Sequence, residues 1–174
     1  MTQEDDWKDE CFYCDTCNKR FRSPLYDVSK EFERTIFFED PLMPEVEIIG
    51  AEMITGFCSP SCRDKKRDHL LEQERIRATY PGIGPIESCS RCGGLVDMTN
   101  FHLTYIEMDT TQTWESTLFG VEVINDPVTL AVVCQKCEPP SRQIKAVIEQ
   151  DEPNFEPTQP VQKGYTSKKS TAEG

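Results

Sequence analysis

Nine cysteines carry the chemistry of this chain, at positions 11, 14, 17, 58, 62, 89, 92, 134 and 137. Eight of them form two quartets: Cys14, Cys17, Cys58 and Cys62, then Cys89, Cys92, Cys134 and Cys137. The first reads CxxC followed by CxxxC, the second CxxC followed by CxxC. A tight turn between two cysteines aims both sulfurs at one point, and two such pairs complete the tetrahedron of thiolates that Zn²⁺ accepts. Iron–sulfur clusters use the same ligand, but paired spacing within short β-rich segments favours two structural Zn²⁺ ions. Cys11 is the ninth. It is read as a free thiol beside the first site, with one alternative: Cys11 and Cys14 form the first pair and Cys17 is spare.

Composition explains why metal is needed. The chain has 174 residues, of which 37% are hydrophobic and 29% charged, which leaves little apolar material for a large core. Units of about 70 residues bury too little surface to be secure without a staple. The first ten residues lack the basic and apolar regions of a secretory signal, and no apolar run approaches the ~20 residues of a membrane span. The expectation is a cytoplasmic protein with no membrane contact, where reducing conditions favour metal-bound thiolates over disulfides.

The quartets imply elements to hold them. Residues 18–57 separate the pairs of the first quartet and residues 93–133 those of the second, nearly equal gaps. Each contains runs rich in β-branched and aromatic residues: Phe32 to Asp40, Val46 to Ile49 and Met53 to Phe57 in one; Phe101 to Asp109, Val121 to Ile124 and Thr129 to Val133 in the other. Alignment of Phe32 with Phe101 matches Thr35 with Thr104 and Asp40 with Asp109, so the halves read as an internal repeat. A helix is expected after each closing pair. In the first half Ser61 is a candidate cap for a helix from Arg63 to about Ala78, with Cys62, His69, Ile76 and Tyr80 on one face; in the second the helix spans Arg142 to Gln150. The expected fold is small α+β: two tandem zinc-stabilised modules, each a β-hairpin or ribbon plus a helix. Their bounds are 11–80 and 89–150, joined by a linker at 81–88. An acidic mobile segment, 1–10, precedes them, and a disordered tail, 151–174, follows.

Cys14-Asp15-Thr16-Cys17, with Phe57-Cys58-Ser59-Pro60-Ser61-Cys62 and the charged helix after it, resembles the CxxC…FCSxxC finger of small bacterial DNA gyrase inhibitor proteins. It is similar also to TRASH-type fingers. The gap between the pairs is much longer here than in the compact gyrase-inhibitor finger. The resemblance implies metal ligation by Cys14, Cys17, Cys58 and Cys62. A knuckle, a hairpin and a ligand pair at a helix start resembles the treble-clef zinc fold; the second half also resembles a zinc ribbon.

Charge bears on partners. The formal net charge is −12, and two filled four-thiolate zinc sites add about −4. Phosphate backbones are repelled by such a surface. A local exception is Lys19, Arg20, Arg22, Arg63, Lys65, Lys66 and Arg67, clustered around the first quartet as a candidate nucleic-acid patch. Asp64 and Asp68 are interleaved with it, which suits a solvated helix or an offset to the thiolates equally well. Catalysis is not expected. A catalytic zinc keeps one position open, whereas both quartets are closed, and His69 and His102 lie outside any HExxH-type motif. The leading expectation is a non-catalytic adaptor or regulator that binds another protein. Nucleic-acid binding through the basic patch is the second, and an acidic nucleic-acid mimic that blocks a DNA- or RNA-processing enzyme is the third.

Overall fold

The computed structural model describes residues 11–37, 44–115 and 118–151. The acidic segment 1–10, the tail from 152 with its Phe155 and Tyr165, and Phe38 to Asp40 of the repeat alignment lie outside the described residues. The elements run β1 (Phe12–Tyr13), β2 (Arg20–Phe21), β3 (Leu25–Ile36), β4 (Glu45–Phe57), α1 (Pro60–Gln73), β5 (Ile86–Ser88), β6 (Leu95–Asp97), β7 (His102–Glu115), β8 (Leu118–Val133) and α2 (Arg142–Asp151). β5 falls within the segment expected to link the halves.

Two small ribbons, β1–β2 and β5–β6, frame the first cysteine pair of each quartet. The long strands form a four-stranded antiparallel sheet in the order β4-β3-β7-β8. Its middle seam pairs β3 with β7, from Leu25 opposite Thr110 to Glu33 opposite His102. The two halves of the chain therefore share one sheet. Bulges at Val28/Ser29 and Phe32/Glu33, and others along β7–β8, bend these long strands.

The faces of the sheet differ. On one, Val28, Phe32, Phe57, Leu103, Tyr105 and Val133 belong to a core that includes Leu70 and Leu71 of α1 and Ile76 beyond it. Full burial of side chains of this size stabilises by about 1.5–3 kcal/mol each. On the other face Asp27, Ser29, Glu31 and Glu33 are buried along β3, beside His102 and Thr104 of β7. Ser29 donates to Asp27, Thr104 Oγ1 donates to Glu33 at 2.7 Å, and His102 Nδ1 meets the Asn100 carbonyl at 2.8 Å.

α1 departs from expectation at both ends. Its cap is Ser59, whose Oγ accepts from Cys62 N–H at 3.2 Å, and Pro60 occupies the first turn, where no N–H is required. The helix stops at Gln73 because Arg75 takes a left-handed conformation (φ 58°). Ile76 N–H then bonds Leu71 C=O at 2.8 Å and Arg75 N–H bonds Glu72 C=O at 3.0 Å. This is the Schellman arrangement, completed by apolar contact between residues flanking the stop. Ile76 thus reaches the core from beyond the helix, while His69 and Tyr80 are exposed.

The order of elements is the same in both halves, yet the residue alignment that suggested a repeat does not follow the strand registers. At the stem of each hairpin, next to the closing cysteines, Tyr26 faces Phe57 and Leu103 faces Val133. Tyr26 and Leu103 are therefore the corresponding positions. Phe32 lies well beyond Tyr26 and Phe101 just before Leu103, and the two rings stack on one another with centroids 6.3 Å apart. Short β-rich runs resemble each other because pleated, half-buried positions select the same few residue types.

Candidate metal centres

The two knuckles are built alike. In the first, Cys14 N–H bonds Lys19 C=O at 2.9 Å and Asn18 N–H bonds Cys14 C=O at 2.8 Å. In the second, Cys89 N–H bonds Gly94 C=O at 2.8 Å and Gly93 N–H bonds Cys89 C=O at 2.8 Å. The residue after each pair has positive φ: Asn18 at 57° and Gly93 at 70°. Asn and Gly tolerate this conformation best, and it turns the chain so that both sulfurs of a pair point to one side.

The closing pairs differ in their setting. Cys58 directly follows β4, and Cys62 sits in the first turn of α1. Cys134 and Cys137 form a turn, with Cys137 N–H on Cys134 C=O at 3.0 Å, before Ser141 Oγ caps α2 by accepting from Ile144 N–H at 3.3 Å.

Within each quartet the four sulfurs lie within 4.8 Å of one another. Cys17 and Cys58 are 3.6 Å apart, Cys58 and Cys62 3.9 Å, and Cys92 and Cys134 3.7 Å. A tetrahedron with Zn–S bonds of ~2.3 Å has edges of about 3.8 Å. Every described cysteine is a free thiol. The residues fit two Zn²⁺ ions, each held by four sulfurs. Cys17 stands in the first quartet, and Cys11 lies outside it, accepting from Arg20 Nε.

Backbone donors prepare the thiols. Burial opposes ionisation of Cys14, but the N–H groups of Cys17, Cys58 and Thr16 outweigh it and bring the thiol down to about 6. Burial likewise opposes ionisation of Cys89, and the N–H groups of Cys134, Cys92 and Arg91 bring it to about 6. Cys58 is pushed up to about 12 by burial and by sharing its proton with Cys17, Cys14 and Cys62. Cys137 rises to about 12, first through hydrogen bonds with Cys92 and Cys134 and then through burial. In each quartet one thiol ionises readily and another, Cys58 or Cys137, resists, so a divalent cation is what makes four thiolates compatible at one point.

Polar ties fasten each knuckle to the fold. Thr16 Oγ1 donates to Cys62 C=O at 2.7 Å, and Lys66 Nζ reaches the Asp15 carboxylate at 2.6 Å and its carbonyl at 2.8 Å. Arg91, inside the second pair, donates to Cys137 C=O at 3.2 Å, Glu74 C=O at 3.0 Å and Tyr105 Oη at 3.2 Å, and it pairs with Glu138. The role of Arg91 was not legible from sequence. Its one signal is the presence of a five-donor side chain between two ligands.

The expected basic patch is divided. Arg63, almost buried, pairs with Asp109 and lies 3.6 Å from Glu107; Arg67 meets Glu107 at 3.2 Å. Lys66 is held by Asp15, while Lys19 and Lys65 are exposed. Arg20 contacts Cys11, and Arg22 is exposed with a partner of its own. His69 and His102 stand apart from both quartets. Among the described residues no helix is long and apolar enough to cross a membrane.

No protein-family model, no curated protein and no solved structure matches this chain.

Proposed function

We propose that this chain is a non-catalytic zinc protein, an adaptor or regulator, whose two structural Zn²⁺ ions lock a shared β-sheet as a platform for binding another protein. The observation that carries this reading is the closure of both quartets. Four sulfurs at tetrahedral spacing leave a bound ion no position for water or substrate, and a structural role is what remains for it. In this reading the first module is a treble-clef finger, since its second ligand pair straddles the start of α1.

The competing nucleic-acid reading draws on the same basic residues, but Arg63 and Arg67 already meet Asp109 and Glu107. Those contacts weigh toward the protein-binding reading. Native mass measurement of the reduced, zinc-loaded chain tests the metal assignment: the expected mass is that of the polypeptide plus two zinc ions, each lost when one of its ligands is changed to Ser. A zinc-dependent hydrolytic activity, abolished by His102→Gln, would overturn the non-catalytic part. Salt-sensitive DNA or RNA binding that disappears in a Lys65/Lys66/Arg67 neutralised variant would overturn the choice of partner class.

A further inference from the structure

The four-stranded sheet has two edges, and they are treated differently. Beside β8, Thr79 and Tyr80 N–H groups bond Leu130 C=O at 2.8 and 3.0 Å, and Ser90 N–H bonds Val132 C=O at 2.8 Å. β8 is also interrupted at Asp126-Pro127, which take no part in its register with β7. Proline and partial cover are ordinary means of protecting an edge. Among the described residues β4 has neither along most of its length. Residues 45–57 contain no Pro, Lys or Arg. Among the described residues the nearest cover is the first knuckle, where Asp15 N–H meets Gly56 C=O at 3.2 Å, at the very end of the strand.

Both faces of this edge offer contacts to an added strand. On one, Val46, Ile48 and Met53 are 47%, 49% and 45% exposed, high values for large apolar side chains in a strand. On the other, Gly50 and Glu52 border a groove of about 470 Å³ between β4 and α2, walled by Ile144 and Val147. The absence of a side chain at Gly50 lets Ile144 of α2 approach the strand closely at the groove's floor: a Cβ there would lie 3.1 Å from Ile144 Cδ1.

Charge selects the occupant. β4 carries Glu45, Glu47 and Glu52, and Glu138 stands across the groove; Glu47 already meets Arg34, and Glu138 meets Arg91. Among the described residues Lys30 is the one cation in the groove lining, and it already faces Glu52 at 3.8 Å and Glu74 at 3.9 Å. Pairing two β4 strands would bring two rows of glutamates together on chains of net charge −12, so a second copy is disfavoured. We propose that β4 is a docking edge for an extended basic segment of a partner protein, which adds to the sheet as a fifth strand. Alternate apolar residues of that segment lie over Val46, Ile48 and Met53. The intervening Lys or Arg residues lay their stems on Ile144 and Val147 and bring their charges to Glu52 and Glu138. This inference rests on the protein-binding reading above and names its surface and the chemistry of its partner.

The test uses the zinc-loaded full chain and a blocked nonapeptide that alternates Val or Ile with Lys or Arg. Amide exchange and ¹⁵N shifts should locate the peptide on residues 45–55, with slowed exchange along β4. Affinity should fall at least tenfold in Ile48→Lys and in Glu52→Lys, both retaining two zinc ions; the second variant lies at an exposed side chain and guards against loss of folding in the first. A peptide with Glu in place of its basic residues should not bind, and one with Pro at alternate positions and unchanged charge should bind at least tenfold more weakly. Equal binding of the proline peptide overturns strand addition in favour of diffuse charge attraction. Concentration-dependent protection of β4 without peptide overturns the choice of occupant in favour of self-association. No binding, or binding elsewhere on the surface, overturns the docking edge while leaving the protein-binding reading intact, because that reading falls on catalysis or nucleic-acid affinity instead.

Discussion

Arg63 of α1 pairs with Asp109 of β7, across the boundary between the two halves of the chain. Both side chains are nearly buried, and Glu107 stands 3.6 Å from the same guanidinium. Arg67, one turn on, joins Glu107 at 3.2 Å. The helix that follows the first metal quartet is thereby fastened to a strand from the second half. Arg63→Met would leave Asp109 and Glu107 with less compensation in a poorly solvated place. Breaking such a pair from one side costs about 3 kcal/mol, and urea unfolding of the zinc-loaded variant should show that loss with zinc content unchanged.

Metal content separates Cys11 from its neighbours. Cys11→Ser should retain two zinc ions, whereas Cys17→Ser should retain one, because only Cys17 sits among the sulfurs of the first quartet. Binding energies of roughly 10–16 kcal/mol for structural zinc exceed the stability of a typical domain. Chelation of both ions is therefore expected to abolish the native near-ultraviolet circular dichroism, and restored zinc to recover it.

Glu31 predicts a pH dependence. Burial, reinforced by Glu33 and Asp27, lifts its carboxyl to about 7 from an ordinary value of 4.5. The folded state holds this proton more tightly than the unfolded chain does. Its contribution to stability is complete below the unfolded value and is lost as pH rises toward about 7. Glu31→Gln removes that loss. The variant should gain on the native protein between about pH 4.5 and 7, reach an advantage of about 2–3 kcal/mol, and hold it to pH 8.5. Comparison at matched pH with zinc in excess cancels the separate effect of acid on the thiolates.

Two left-handed residues give opposite responses to substitution. Arg75→Gly relieves a backbone conformation that costs a non-glycine residue about 1 kcal/mol and should raise stability by that amount. Gly93→Ala imposes the same penalty in the second knuckle, where a Cβ meets nothing within 4 Å and only the backbone resists. It should cost about 1 kcal/mol and weaken zinc binding at Cys89, Cys92, Cys134 and Cys137, while the first site keeps its affinity. A competition titration against a chromophoric chelator reads both sites.

Arg91 is expected to act through the ligands it holds. Its donors fix the Cys137 carbonyl and tie the second knuckle to Glu74 and Tyr105. Loss of such outer contacts typically lowers metal affinity 10–100-fold. Arg91→Ala should do so at the second site alone, and Arg91→Lys should recover little, since one ammonium cannot span three acceptors.

Much of the local structure is written in the chain itself. A CxxC pair followed by Asn18 or Gly93 forms a knuckle through bonds among neighbours, so both metal quartets follow from spacing. β-branched runs mark the long strands, and the apolar spacing of Ile144, Val147 and Ile148 marks α2. Other features depend on partners distant in sequence. The end of α1 is set by Ile76 reaching the core through a left-handed Arg75, where a sequence reading looks for Gly. The seam of Leu25–Glu33 with His102–Thr110 has no local signal, because antiparallel pairing depends on which surfaces meet after both hairpins exist. The fate of Arg63 and Arg67 follows from that seam, which brings Asp109 and Glu107 beneath α1. Short-range geometry is encoded by neighbouring residues, while the union of the halves is decided by burial and charge compensation that arise only once the sheet has assembled.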